Sequence, residues 1–236
     1  MVFNGVFGTG IDSTPPAGRS GPFYGVYPAE VVDVQDPDGM GRVRVRLPWL
    51  QDSGGDNYES WARLATFMAG VGRGSWFIPE PDDEVLVAFQ AGDPRHPFVV
   101  GALWNGVDNP PETMDSNNNI RSITSRSGIK VTFDDTDGQV AFTIATPGGH
   151  TIECEDASTT ITISDASGNS IKLEPSGITM TTSGTFSVTA STVDISASLV
   201  NVNAGMSQFS GVVKSDTNIT NATVSTSYTP GAGNIW

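Results

Sequence analysis

The chain has 236 residues, of which 12 are basic and 26 acidic, giving a formal charge of −14 at neutral pH. That balance excludes a protein that neutralises nucleic-acid phosphates with a basic face. The 37% apolar content, much of it patterned, excludes a chain that cannot fold. No apolar run approaches the ~20 residues of a membrane helix, and the single cysteine, Cys154, excludes an internal disulfide framework.

Residues 1–22 are rich in Gly, Pro and Ser and lack the basic-then-apolar order of a standard secretory signal. They read as an arm, either a frayed end or a segment that docks through Phe3, Val6 and Phe7. Residues 23–107 hold five strand candidates: "YGVYPAEVVDV" (24–34), "GRVRVRLPWL" (41–50), "WARLAT" (61–66), "DEVLVAFQ" (83–90) and "FVVGALW" (98–104). "DPDG" (36–39) and "AGDPRHP" (91–97) are turn chemistry, with Pro fixing φ and Gly supplying positive φ. No amphipathic helix stands out. Five short strands in this length predict a small barrel, and the OB-fold is the commonest five-stranded one.

In "RVRVRL" the period is two. Val43, Val45 and Leu47 face one way; Arg42, Arg44 and Arg46 face the other. The arginine face reads either as a docking surface, for a partner or for ion pairs between chains, or as a solvated face balanced by local carboxylates such as Asp33 or Glu84. Single-stranded nucleic acid, a common ligand of OB barrels, conflicts with the net charge.

Residues 108–120, "DNPPETMDSNNNI", are a linker by composition. After it, apolar pairs at i and i+2 recur: Val131/Phe133, Phe142/Ile144, Ile152/Cys154, Ile161/Ile163, Ile171/Leu173, Ile178/Met180, Phe186/Val188, Val193/Ile195 and Val200/Val202. The steps between second members are 11, 10, 9, 10, 7, 8, 7 and 7, an internal repeat. The early steps leave room for turns such as "DDTDG", "TPGG" and "DASGN"; the later ones leave almost none.

A strand of about seven residues spans roughly 23 Å, so a late repeat is one strand plus a corner. A β-helix built from one chain needs two or three sides per turn, which this step does not supply. Three copies around one axis satisfy the pattern. Each gives one face of a triangular prism per layer, and the paired apolar residues of all three point to the axis. Small polar Ser, Thr and Asn cover the outside. Each buried large side chain adds roughly 1.5–3 kcal/mol as an upper bound, so stability resides in the trimer and a lone copy of the segment should not persist. Between Pro175 and Val213 the only charged residue is Asp194. A thin, nearly neutral, stiff rod suits something pushed along its axis.

Other groups have plainer readings beside the chemical ones. Asp134, Asp135 and Asp137, with Glu153, Glu155 and Asp156, read as a calcium or glycosidase carboxylate set or as turn chemistry and solvated corners, and the turn reading is preferred. Cys154 reads as a small inward hydrophobe. His150 has no second histidine nearby and reads as structural, His96 and His150 both lie far from the C-terminus, and no metal ligand set, cofactor or catalytic residue is expected.

"EVVDVQDPDGMGRVRVRLPWL" (30–50), "WARLA" (61–65) and "GRGSWFIPEPDDEVLVAFQAGDPRHPFVVGALWNG" (72–106) resemble, in this order and spacing, the OB-fold of central spike proteins from contractile injection machines. These are the phage baseplate assembly protein V group and the VgrG spike of type VI secretion. The resemblance covers about 80 residues. It implies an all-β chain, an OB-fold collar at 23–107 followed by a trimeric β-helical needle at 121–236, which agrees with the repeat. It implies a structural homotrimer in a phage tail baseplate or phage-tail-like particle, assembled in the bacterial cytoplasm, that pierces a target cell envelope. VgrG chains carry a large hub domain before the OB-fold; about 22 residues precede it here, so the hub is expected as a separate protein. The linker has no room for the lysozyme domain of some phage spikes, and no His-X-His pair suggests an intrinsic metal tip. "TNITNATVSTSYTPGAGNIW" (217–236) is similar to needle ends that seat a PAAR-type tip protein, which would place Tyr228, Pro230, Asn234, Ile235 and Trp236 at the seat. The plainer reading of Ile235 and Trp236 is that they close the needle core. A trimeric tail enzyme acting on surface polysaccharide is the alternative function.

Overall fold

The computed structural model describes residues 22–225. The Phe3, Val6 and Phe7 arm and the tip residues Tyr228, Pro230, Asn234, Ile235 and Trp236 lie outside the described residues. The chain divides into two compact units, before and after Thr185. The described part is all-β apart from one short 3-10 turn.

The first unit opens with β1 (Val26–Asp33), β2 (Val43–Gln51) and β3 (Asn57–Leu64). A two-residue-per-arm hairpin, β4 (Ala69–Gly70) and β5 (Arg73–Gly74), follows; then β6 (Glu84–Phe89) and β7 (Pro97–Ala102) complete the set. Five of these close into a barrel in the order β1-β2-β3-β7-β6, antiparallel except for the β3–β7 closure. The alternation in β2 works as its sequence predicts: Val43, Val45 and Leu47 are fully buried beside Val31, Ala62, Val85 and Val87. These residues give the barrel a closed apolar core made by one chain.

Three details were not anticipated. The third strand starts at Asn57, not Trp61, because Tyr58 pairs opposite Leu47 and extends the ladder. Arg42 lies just before β2 rather than within it. The β4–β5 hairpin lies in a stretch with no strand periodicity. One barrel end is plugged by Phe23, Tyr27, Trp49 and Phe89, with ring centroids 4.7–6.3 Å apart. Trp49 Nε1 donates to the Pro28 carbonyl at 2.8 Å, so the half-buried indole leaves no orphan donor. Gly92, at φ +79, receives the chain entry: Phe23 N donates to its carbonyl at 2.8 Å, and a Cβ there would meet Pro22 at 2.5 Å.

The barrel is followed by a seven-stranded antiparallel meander: β8 (Ile120–Thr124), β9 (Lys130–Asp134), β10 (Ala141–Ala145), β11 (Thr151–Glu155), β12 (Thr160–Ser164), β13 (Ser170–Glu174) and β14 (Gly177–Thr181). Each strand pairs only with its sequence neighbours. Polar turn residues set the corners: Asp165 Oδ1 accepts from the backbone of Ser167 and Asn169, and Asp134 Oδ1 accepts from Thr136 N. The fully buried apolar residues all belong to the barrel; the meander contributes none.

Beyond Thr185, the described part of the second unit has no strand pairing within the chain.

Candidate assembly interface

The register of the meander sorts the apolar pairs into two columns. One runs Ile123, Val131, Ile144, Ile152, Ile163, Ile171, Met180; the other runs Arg121, Phe133, Phe142, Cys154, Ile161, Leu173, Ile178. Residues directly opposite across a ladder share one face of a sheet, so both columns lie on the same face. Along the columns Phe133 and Phe142 meet at 5.2 Å between ring centroids.

That face has no cover in a single chain. Phe133, Ile152, Ile161, Ile163, Ile171 and Leu173 are exposed, and Ile178 and Met180 more so. Val131, Phe142, Ile144 and Cys154 are half-buried by their in-sheet neighbours alone. The opposite face is polar, carrying Lys130, Thr132, Thr143, Glu153, Thr162 and Lys172. The linker touches that polar side through Glu112. Glu112 accepts from Ser122 Oγ and pairs with Lys130 Nζ, both at 2.6 Å, and these contacts hold its carboxyl below the usual range. So one face is dressed by the chain itself and the other, apolar, face is left open. A contiguous exposed apolar surface of this extent marks an interface.

The remaining pairs, Phe186/Val188, Val193/Ile195 and Val200/Val202, are all exposed. From 186 to 224 no backbone–backbone hydrogen bond joins described residues. Along this stretch the regular apolar spacing stands exposed and the backbone has no ladder partner among the described residues.

The arginine stripe is balanced locally. Arg42 grips Asp36 at 2.6 Å and Asp38 at 2.5 Å. Arg44 lies between Asp33 and Glu59 at 3.3 and 3.5 Å, and Arg46 pairs with Glu30 at 2.7 Å. The guanidiniums of Arg42 and Arg44 lie 5.7 and 5.9 Å from the Trp61 ring centroid. Asp33 is thus a partner as expected, whereas Glu84 instead takes a hydrogen bond from Asn105, with its pKa raised by burial. Sequence reading missed Glu30, Glu59 and Trp61 because they become neighbours only through the β1–β2 and β2–β3 registers.

Three of the candidate carboxylates have partners within the chain. Asp134 bonds to Thr136, whose side chain and backbone lower its pKa; Asp135 pairs with Arg121; Glu155 accepts from Ser158 Oγ at 2.7 Å. Among the described residues no group of three or more His, Cys, Asp or Glu side chains is arranged to hold a metal ion. His96 and His150 both sit in turns, at 93–96 and 146–150.

A self-sufficient OB barrel followed by a sheet that is open along one apolar face defines a class: β-structural proteins that complete their fold by association. Residues 27–104 match the type VI secretion system/phage-baseplate injector OB domain, and residues 141–207 match the phage baseplate V C-terminal trimerisation domain. Together the matches take in more than half of the chain, which belongs to the phage baseplate V family through both domains. Among its relatives, the type VI secretion system spike protein VgrG1a of Pseudomonas aeruginosa is 31% identical over 102 residues, 42% of this chain and 16% of that protein. VgrG4b of the same organism is 37% identical over 95 residues, 39% and 12% of the two chains. The actin cross-linking toxin VgrG1 of Vibrio cholerae is 36% identical over 78 residues, 33% of this chain and 7% of that one. The chain therefore aligns with well under a fifth of these relatives' own length.

Proposed function

We propose that the protein is the non-enzymatic central spike of a contractile phage tail or phage-tail-like particle. It acts as a homotrimer with an OB collar on a separate baseplate hub and a needle that pierces a target envelope when a sheath contracts. The observation that carries this is the in-register double column on one open face. Three such faces turned to a common axis bury every pair, and the polar face with its linker stays outside. The mechanism is mechanical: work done elsewhere passes along a rod whose layers are held by three chains at once. The seat for a PAAR-type tip protein at Tyr228, Pro230, Asn234, Ile235 and Trp236, and a docking role for Arg42, Arg44 and Arg46, belong to this proposal. The toxin name of one relative attaches to a protein of which this chain matches 7%, so it carries no activity here.

Native mass spectrometry of the full chain tests the reading. The expected species is three times the 24.8 kDa chain mass; a clean monomer at micromolar concentration overturns it.

A further inference from the structure

Residues 66–77, the β4–β5 hairpin with its two flanks, carry a cluster of exposed large apolar side chains. Phe67 is 100% exposed, Val71 98%, Trp76 75% and Phe77 73%, with Met40 also exposed. None of these side chains belongs to the barrel core, yet the hairpin is ordered. Thr66 Oγ1 donates to the Ser75 carbonyl at 2.9 Å, and Ser75 N donates to the Met68 carbonyl at 2.9 Å. Gly41, at φ +71, lets the Trp76 ring approach so closely that a Cβ would meet it at 3.1 Å. A braced loop that displays four large apolar side chains to water is built to be covered.

Its position says by what. Glu80, three residues after Phe77, pairs with Arg126 at 2.8 Å. Arg126 lies in the β8–β9 turn, so the chain leaving the hairpin is tied at Glu80 to one edge of the meander, in its first layer. The turns of an antiparallel meander alternate between edges. The β8–β9, β10–β11 and β12–β13 turns form one row; the β9–β10, β11–β12 and β13–β14 turns form the other. In a closed threefold ring every contact is heterologous, so the first row of one copy adjoins the second row of the next. The first-layer turn of that second row is 135–140, carrying Asp137 and the exposed Val140. Charge agrees with this placement. Among the described barrel residues Arg73 is the arginine with neither a carboxylate nor an aromatic partner in its chain, and Asp137 has no ion-pair partner in its own.

We infer that the β4–β5 hairpin is an inter-subunit clasp. Phe67, Val71, Trp76 and Phe77 of one copy seat on the 135–140 turn of the next, with Arg73 opposite that copy's Asp137. This locks the collar to the needle base around the ring, so that axial force on the collar is shared by all three chains. The inference rests on the trimer proposed above.

The test places p-benzoylphenylalanine at position 71 of the full chain, a site whose side chain touches no core. Irradiation of the purified protein is expected to give covalent dimers and trimers on a denaturing gel, with the cross-link mapping to 135–140. Arg73→Asp should remove most of that product, and Arg73→Asp with Asp137→Arg should restore it. A native trimer that yields no inter-chain product, or only intrachain product, overturns the clasp and leaves the trimer standing. A monomer by native mass spectrometry overturns both. Links that map elsewhere on a second copy overturn the assignment of the seat.

Discussion

Cys154 stands directly opposite Phe142 across the β10–β11 ladder, inside a column that continues through Ile161 and Leu173. In one chain it is only half-buried; with the face closed by two other copies it becomes dry. Its thiol in the native assembly is therefore expected to resist a colourimetric disulfide reagent until the protein is unfolded, when one thiol per chain should react. Rapid reaction of the native protein would show that this face is open to water.

The columns carry a second expectation. Ile163 lies between Ile152 and Ile171 and is exposed in a lone chain. Ile163→Ala in a solvent-facing column would change little, whereas in a closed core it should cost about 2–5 kcal/mol per copy through lost burial and a cavity. Thermal or denaturant unfolding of the assembled protein measures this, and Cys154→Asp should abolish assembly outright, since it would bury carboxylates without partners. A shift below about 0.5 kcal/mol for Ile163→Ala, the range of ordinary surface changes, contradicts the closed core.

How much of this was legible in the sequence differs by element. The barrel was, because Val43, Val45 and Leu47 alternate with arginines and the turns carry Pro and Gly. From β9 to β14 the column members were legible too, since the i and i+2 pairs are regular, whereas Arg121 and Ile123 of β8 were not, because they form no apolar pair. What pairs with what was not: Glu30 lies 16 positions from Arg46 and Glu59 lies 15 positions from Arg44, brought together only by register. The hairpin was also hidden, because Phe67, Val71 and Trp76 follow neither a two-residue nor a helical period. Glu112 was read as part of a bare linker, and its grip on Ser122 and Lys130 depends on the first two strands of the meander being paired.

The arginine stripe separates assembly from stability. Arg46 and Glu30 form a partly exposed pair at 2.7 Å, which is worth about 0.2–1 kcal/mol when its solvent exposure is counted. A double-mutant cycle on Arg46→Ala and Glu30→Ala should thus give only a small coupling in barrel unfolding. If the stripe also docks a hub, Arg44→Ala with Arg46→Ala should weaken capture of that hub in pull-down while the melting temperature barely moves. A coupling above ~2 kcal/mol would instead assign these arginines to folding.

Acid should loosen the barrel through two turns. Arg42, hydrogen-bonded to Asp36, and the Arg42, Asp38 and Met40 amides hold the Asp36 carboxyl well below the usual range; Arg95 brings Asp93 down to about 2. Both folded values lie beneath the unfolded one of roughly 3.9. Depressed carboxylates stabilise the fold above the unfolded pKa, and that contribution disappears as pH falls through the folded values. Asp36→Asn and Asp93→Asn should therefore lower stability at pH 7, with the gap to the parent protein closing between about pH 4 and 2. Chemical denaturation at several pH values reads the gap; one that widens on acidification refutes the linkage.

The last expectation concerns the second unit. Phe186, Val188, Val193, Ile195, Val200 and Val202 have no ladder partner in their own chain, and no backbone–backbone bond joins described residues across this stretch. Amides left to water exchange freely, whereas amides in a ladder exchange only when it opens. If three copies wind around one axis, each amide here bonds to a strand of another copy, and opening one strand disturbs all three. Hydrogen–deuterium exchange of the native protein is thus expected to show protection across 186–203 comparable to that of β10–β13, although only the latter have partners within the chain. Dilution or a column-breaking substitution such as Ile163→Asn should collapse the protection of 186–203 first, because it depends wholly on other copies, while the barrel strands β2 and β6 stay protected by their own core. Free exchange of 186–203 in an intact trimer would mean that the three-chain winding stops at the meander.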